Sequence, residues 1–439
     1  TEGGDVVGFI DKYGARSWQG IPFAQPPVGS LRWRAPQPPI PNENTLQALK
    51  PGALCPQFAS LLSGAGEQAP QGRIAGNEDC LYLNIWSPPN ASKRPVMLWI
   101  HGGGNTIGHG GSYNGAALAT QRDVVIVTIN YRLGVFGWFT HPDLATGNVL
   151  DDSGNYGTLD VIRALEWVQD NIAEFGGDPN NVTVFGESAG AFDTLAMMAS
   201  PLAKGLFHRA IVQSGGFSPT PISYGQNYQA DGGSALSSQE LVAKLLIHDG
   251  LAEDHDSAKT RASDMTGKAL KDYLYEKTPA QIFAQLDGSG FGMIPLPNNF
   301  GDGHVLPNLT TEEIFSDPNS HNMVPTILGT NRDEPSLFMV RAPEYVENWL
   351  GFLPRLKDEA AYKRAVYYGA QAWKYRGVDS LANYMSAAGN DNVYAYRFDW
   401  DEEPSQLGFD LSVALGAAHG LEIAFVFNDF DGGMGIGYI

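Results

Sequence analysis

Only two cysteines, Cys55 and Cys80, occur in 439 residues. So few cannot staple a small disulfide scaffold, and they make no Cys/His cluster of the kind that holds structural zinc. A bridge between them would close a loop of about 26 residues, worth roughly 3.5 kcal/mol on the loop-entropy argument. Two free buried thiols in a cytosolic enzyme are the alternative, and composition leaves both open. Lys/Arg runs are absent and the net charge is −20. That excludes the basic footprint by which nucleic acid or an anionic membrane surface is bound. The acidity serves solubility, with an acidic rim for cationic substrates as the lesser reading. No stretch approaches the ~18 consecutive apolar residues of a spanning helix. Internal repeats, heptads and low-complexity tracts are also missing.

What remains suits a large globular enzyme. Hydrophobic residues make up 43% of the chain and charged residues 17%, the latter below the usual ~25%. The 52 glycines and 28 prolines are consistent with many ordered loops. Continuous apolar runs at 81–86, 96–100, 124–130, 182–185, 210–213 and 326–329 predict strands covered on both faces. Between them, 158–175 has helical spacing and stops at Gly176-Gly177. The alternation predicts an α/β fold with a central, mostly parallel sheet. From about 218 to 322 the chain turns more polar and helix-forming, without strong buried strands. No linker divides the chain, so residues 1–439 are expected to form one elaborated domain with this segment inserted as a wall of the site. The chain begins at Thr1 with neither a methionine nor an apolar signal core, which reads as a processed product.

The strongest local signal is Val182-Thr-Val-Phe-Gly-Glu-Ser188-Ala-Gly190. An apolar strand runs into Gly-x-Ser-x-Gly and then into a helix-compatible stretch, 191–199. A nucleophile on this sharp turn has a strained backbone and points its hydroxyl off the sheet. Glycines two residues either side avoid collision with the neighbouring strand and helix. A plain glycine-rich turn is the bland alternative, which the strand–turn–helix context disfavours.

His101-Gly-Gly-Gly104 follows the strand 96–100. Consecutive glycines let backbone N–H groups face a reacting carbonyl oxygen, and the N–H of Ala189 would complete the set. No Lys-Ser/Thr follows, so a phosphate loop is excluded. His419, in a small-residue loop downstream, fits the hydrolase order of nucleophile, acid and histidine. Glu334 ends the strand 326–329, where open α/β sheets gather catalytic groups. Asp333 is adjacent, and spacing does not separate the two acids. His101 is expected to brace the glycine loop, and the remaining histidines lack metal-ligand spacing.

On these residues the chain resembles the type-B carboxylesterases of the cholinesterase superfamily, which have the α/β-hydrolase fold. The resemblance runs through Gly20-Ile-Pro-Phe-Ala-Gln-Pro-Pro-Val-Gly29, Asn77-Glu-Asp-Cys-Leu-Tyr-Leu-Asn-Ile-Trp86 and His101-Gly-Gly-Gly104. It continues through Asn130-Tyr-Arg-Leu-Gly134, Phe175-Gly-Gly-Asp-Pro-Asn-Asn-Val182, Gly186-Glu-Ser-Ala-Gly190 and Gln213-Ser-Gly215. It implies a catalytic triad of Ser188, Glu334 and His419, and an oxyanion hole from the N–H groups of Gly103, Gly104 and Ala189. It further implies Ser214 beside the Glu334 carboxylate, Glu187 at the edge of the site, and a Cys55–Cys80 disulfide. Arg32 with Glu78, and Arg132 with Asp160, resemble family salt bridges. No metal or organic cofactor is implied.

Several residues depart from the family pattern. Asn105 stands where an aromatic usually follows the glycines, which suggests a more polar substrate wall. Pro335 replaces the glycine after the acid. The 55–80 segment has no tryptophan, so choline esters are not expected substrates. The chain stops at Ile439, soon after His419, where the family continues with further helices; the resemblance implies a fragment or a missing segment. The expectation is an acyl-enzyme hydrolase of small to medium, uncharged esters, secreted or periplasmic, with a small-molecule ester substrate, no nucleic-acid partner and no membrane span. Rivals are a hydrolase of bulky synthetic esters, amides or carbamates, and a non-catalytic binding protein on the same fold.

Overall fold

The computed structural model describes residues 1–430 apart from 42, 67, 289–290, 350–352 and 406–409. Nine strands form the main sheet: β1 (Phe9–Ile10), β2 (Arg16–Pro22), β3 (Tyr82–Ser87), β4 (Arg94–Ile100), β5 (Val125–Ile129), β6 (Gly177–Glu187), β7 (Arg209–Gln213), β8 (Thr326–Asn331) and β9 (Val393–Phe398). Their spatial order is β9-β8-β7-β6-β4-β5-β3-β2-β1. The six from β9 to β5 run parallel; β3, β2 and β1 complete the sheet in antiparallel pairs. This is the mixed sheet of an α/β-hydrolase.

Strand residues alternate between two buried faces. Leu98, Ile100, Val125, Val127, Val182 and Val184 point to one side, into a core shared with Leu159, Ile162, Leu165 and Leu195. Trp99, Ile126 and Phe185 point to the other, against Ala116, Ala119, Ile423 and Phe427. A strand covered twice has no polar face to show, which is why these segments read as unbroken apolar runs. Each such side chain contributes ~1.5–3 kcal/mol on leaving water.

The covering helices are α1 (Ala116–Arg122), α2 (Tyr156–Asn171), α3 (Ala189–Ala199), α4 (Ser238–His248), α5 (His255–Asp264), α6 (Gly267–Tyr275), α7 (Glu359–Lys374), α8 (Ser380–Ala387) and α9 (Glu422–Phe427). α2 and α3 pack on the first face, α1 and α9 on the second. The segment 218–322 carries α4, α5 and α6, and its buried residues build a second cluster. There Leu241, Leu245, Leu274 and Phe283 meet Trp33, Phe136 and Phe139. Three of its helices start on side-chain caps, Ser237 for α4, Asp254 for α5 and Thr266 for α6, each taking up an otherwise orphaned backbone N–H.

Cys55 and Cys80 form a disulfide, tying the segment before β3 to its start. Arg32 pairs with Glu78 at 2.5 Å. Arg132 pairs with Asp160 at 2.7 Å, with both side chains buried, and joins the loop after β5 to α2. No helix among the described residues is long and apolar enough to cross a membrane.

Candidate active site

β6 ends at Glu187 and α3 begins at Ala189, so Ser188 alone makes the turn. Its backbone sits at φ 56° and ψ −125°, a left-handed conformation that a side-chain-bearing residue reaches only when its surroundings impose it. They do so tightly. A Cβ on Gly190 would lie 2.0 Å from the Ile100 carbonyl oxygen, and one on Gly186 would lie 2.4 Å from the Gly190 oxygen. Only glycines let strand and helix close on the serine in this way. Ser188 N–H donates to the Gln213 carbonyl at 3.0 Å, while the residue itself keeps partial exposure.

The glycine loop after β4 abuts this turn: a Cβ on Gly102 would stand 3.0 Å from that of Ser188. Gly103 and Gly104 have φ of 107° and 63°. Among the described residues, none accepts a hydrogen bond from the backbone N–H of Gly103, Gly104 or Ala189. The Ala189 N–H is also the first of α3, where the helix dipole adds partial positive charge. His101 braces the loop from below. Its Nδ1 lies 2.8 Å from the Gly102 oxygen, its ring stacks on Tyr131 at 4.4 Å, and burial pushes its pKa down to about 3.

His419 and Glu334 meet although 85 residues separate them: His419 Nδ1 is 2.6 Å from Glu334 Oε2. Both are buried. Glu334 Oε1 accepts from Thr330 Oγ1 at 2.9 Å and from the Asn331 N–H at 2.7 Å. Burial raises the Glu334 pKa, but the His419 charge and hydrogen bond, with the Asn331 N–H, outweigh it and hold the carboxyl below its usual range. Asp333 points elsewhere, pairing with Arg332 at 2.9 Å and accepting the Ala417 N–H at 3.1 Å. Of the two adjacent acids, Glu334 is the one at the imidazole.

The other imidazole nitrogen faces a third carboxylate. His419 Nε2 lies 3.1 Å from Glu187 Oε1, and neither atom is in hydrogen-bond geometry with any group. Ser188, the next residue along, makes no side-chain hydrogen bond with His419. Burial lowers the His419 pKa, yet Glu187, Glu334 and Glu422 together raise it to about 9. Burial is also the main cause that pushes Glu187 up to about 8, against the pull of His419.

Ser214 has its hydroxyl buried and close enough to Glu334 to lower that carboxyl, but not in hydrogen-bond geometry. Phe338 and Trp373 flank the imidazole, with ring centroids 5.4 and 4.9 Å away. Met293, from the segment 218–322, stands 3.1 Å from where a Gly104 Cβ would be. Asn105, expected to present a polar wall, is instead turned into the protein and bonded to buried groups. Pro335 opens a short helix, Ser336–Met339, directly after the acid.

Sequence reasoning assigned no role to Thr330, Asn331, Phe338, Trp373 or Glu422. Glu422 was legible only as the acid three residues after His419; it accepts from Asn331 Nδ2 at 2.6 Å. Among the described residues no group of three or more His, Cys, Asp or Glu is placed to hold a metal ion.

Comparison with known proteins shows the family to which the chain belongs. Residues 1–368 match the model of the "Carboxylesterase family". The para-nitrobenzyl esterase of Bacillus subtilis (strain 168) is 37% identical over 452 residues, covering 98% of this chain and 83% of that protein. The fumonisin B1 esterase of Sphingopyxis macrogoltabida is 46% identical over 348 residues, 77% of this chain and 55% of that one. Among solved structures, a carboxylesterase of Geobacillus stearothermophilus superposes with a TM-score of 0.69 at 29% identity, covering 100% of this chain and 85% of its own.

Proposed function

Because the chain belongs to the carboxylesterase family and is a carboxylic ester hydrolase, we propose that it works through an acyl-enzyme on Ser188. The observation that carries this is the strained Ser188 turn, set against the Gly102–Gly104 loop, with the Glu334–His419 pair buried nearby. His419 takes the serine proton at Nε2 as the hydroxyl attacks the ester carbonyl. The Glu187 carboxylate that Nε2 faces and the hydroxyl it must serve sit on consecutive residues of one turn. The developing oxyanion is received by the N–H groups of Gly103, Gly104 and Ala189, each worth ~3–4 kcal/mol to the transition state. His419 then protonates the leaving alcohol, and water repeats the cycle on the acyl-enzyme. Glu334 keeps the Nδ1 proton in place and balances the imidazolium charge; Glu187 and Ser214 tune this pair from its edges.

Phe338, Trp373 and Met293 give the site apolar walls, which favour small to medium uncharged esters. The segment 218–322 contributes one of those walls within a single elaborated domain 1–439. A chain-length series of ester substrates measures the acyl size that the site accepts. The Cys55–Cys80 disulfide suits an oxidising compartment, so we place the protein in the secreted or periplasmic space.

The test is hydrolysis of p-nitrophenyl butyrate by the protein beside Ser188→Ala, with fluorophosphonate labelling read by mass spectrometry. Turnover and a label on Ser188, both lost in the variant, are expected. A folded protein that neither turns over nor takes the label would overturn the mechanism in favour of a binding role.

A further inference from the structure

A second buried acid lies on the helix that starts at the nucleophile. Asp193, five residues after Ser188, is fully buried. Its Oδ1 accepts from Asn105 Nδ2 at 3.3 Å and from Asn299 Nδ2 at 3.1 Å, and its Oδ2 has no partner. Asn105 directly follows Gly103 and Gly104, and at φ 58° it is the third residue in succession with a positive φ. Asn adopts that conformation more readily than most side-chain-bearing residues, but a loop aligned to a reacting atom still needs contacts that fix it. Three groups supply them besides Asp193. The Asn105 carbonyl accepts from the Gly134 N–H at 2.7 Å, its Oδ1 accepts from the Tyr131 hydroxyl at 3.3 Å, and its Nδ2 reaches Asn298 at 3.5 Å.

A carboxyl group buried among neutral partners is expensive, and burial pushes this one up to about 7. A residue needed only to fill space here would be apolar or a neutral amide. The acid instead uses one oxygen to join three segments: the helix of the nucleophile, the loop of the oxyanion donors, and the segment 218–322 through Asn299. We propose that Asp193 is a positioning residue that, through Asn105, holds the N–H groups of Gly103 and Gly104 in register with Ser188. This rests on the oxyanion hole proposed above.

The experiment compares Asp193→Ala, Asp193→Asn, Asn105→Ala and the double variant Asp193→Ala/Asn105→Ala in p-nitrophenyl butyrate hydrolysis. Fluorophosphonate labelling rates and thermal melts accompany each. Displaced donors weaken only the transition state, so kcat should fall about 10- to 100-fold in Asp193→Ala with KM within about threefold. Labelling should slow in parallel. Asp193→Asn keeps the accepting oxygen and should recover most of kcat. The double variant should be no worse than the poorer single one, because both cut the same link. The proposal is overturned if kcat holds while the melting temperature drops, if Asp193→Asn rescues nothing, or if the two losses multiply. Should Asp193→Ala fail to fold, Asn105→Ala decides alone through its kcat-against-KM split. An inactive, unlabelled wild type would instead defeat the oxyanion reading itself, so the two failures are distinct.

Discussion

Glu187 and His419 face each other at 3.1 Å across the active site, and the nucleophile is the residue that follows Glu187. The imidazole thus lies between two carboxylates, Glu334 on Nδ1 and Glu187 on Nε2. The sequence alone places the acid limb of activity near the ordinary imidazole range. This sandwich moves it upward, because both carboxylates favour the imidazolium.

The sign of the pH effect follows from that. A general base works when neutral, and His419 has its pKa raised to about 9 against the lowering effect of burial. Activity should therefore climb with pH above 6.5 and keep rising toward that value. Glu187→Gln removes the charge nearest Nε2, so its limb should lie at lower pH than that of the wild type. kcat/KM for p-nitrophenyl butyrate from pH 5 to 10 measures both. Identical limbs in the two proteins would show that Glu187 does not set the base.

Glu334 and Asp333 are chemically alike neighbours that the structure treats differently. Glu334→Gln should lower kcat by about 10⁴-fold, as expected when the acid that fixes a catalytic tautomer loses its charge. Asp333→Asn breaks an Arg332 contact and a backbone acceptor and should cost activity about tenfold or less. Parallel steady-state kinetics on the two variants decides the assignment; comparable losses would leave Glu334 without its special role.

How much of this was legible in the sequence depended on whether a residue's partner lay nearby. Six strands announced themselves as continuous apolar runs because nearly all of their residues are buried, whichever face they point to. β1, β2 and β9 did not: they lie at the sheet's two ends, and β9 reads Val-Tyr-Ala-Tyr-Arg-Phe with several residues exposed. The serine turn was readable because its signature is the local run Gly186–Gly190, even though the Ile100 carbonyl that Gly190 must clear is distant in sequence. Spacing alone did not choose Glu334 over Asp333; the family resemblance did, and the physical reason lies in a loop 85 residues downstream. Asn105 read as part of a more polar substrate wall because sequence cannot show that Tyr131 and Asp193 bond its side chain.

The disulfide should act mainly on the unfolded chain. Cys55 and Cys80 are 25 residues apart, so Cys55→Ser/Cys80→Ser should lose about 3.5 kcal/mol. In a chain this long that lowers the melting temperature by only about 4 °C. kcat should be nearly unchanged below the melt, because the bridge lies outside the proposed catalytic group. Calorimetry with and without reductant gives the same comparison on the unmutated protein.

Arg132 and Asp160 allow a sharper test of what buried charge does here. Asp160 is fully buried; burial raises its pKa, and Arg132 opposes that through charge and hydrogen bonds at 2.7–3.0 Å. Arg132→Met removes the opposition while filling much of the space. It should destabilise the protein by about 3–5 kcal/mol, the cost of stranding a buried charge. The loss should depend on pH with a definite sign. A folded-state pKa raised above the unfolded value means that the folded chain binds the extra proton, so stability falls as pH rises through that range. Arg132→Met should consequently melt closer to wild type at pH 5 than at pH 8. Asp160→Asn in the Arg132→Met background should erase the pH difference, because the group that titrates is gone. A gap that stays constant with pH would mean that packing by the arginine stem, rather than its charge, holds the loop after β5 against α2.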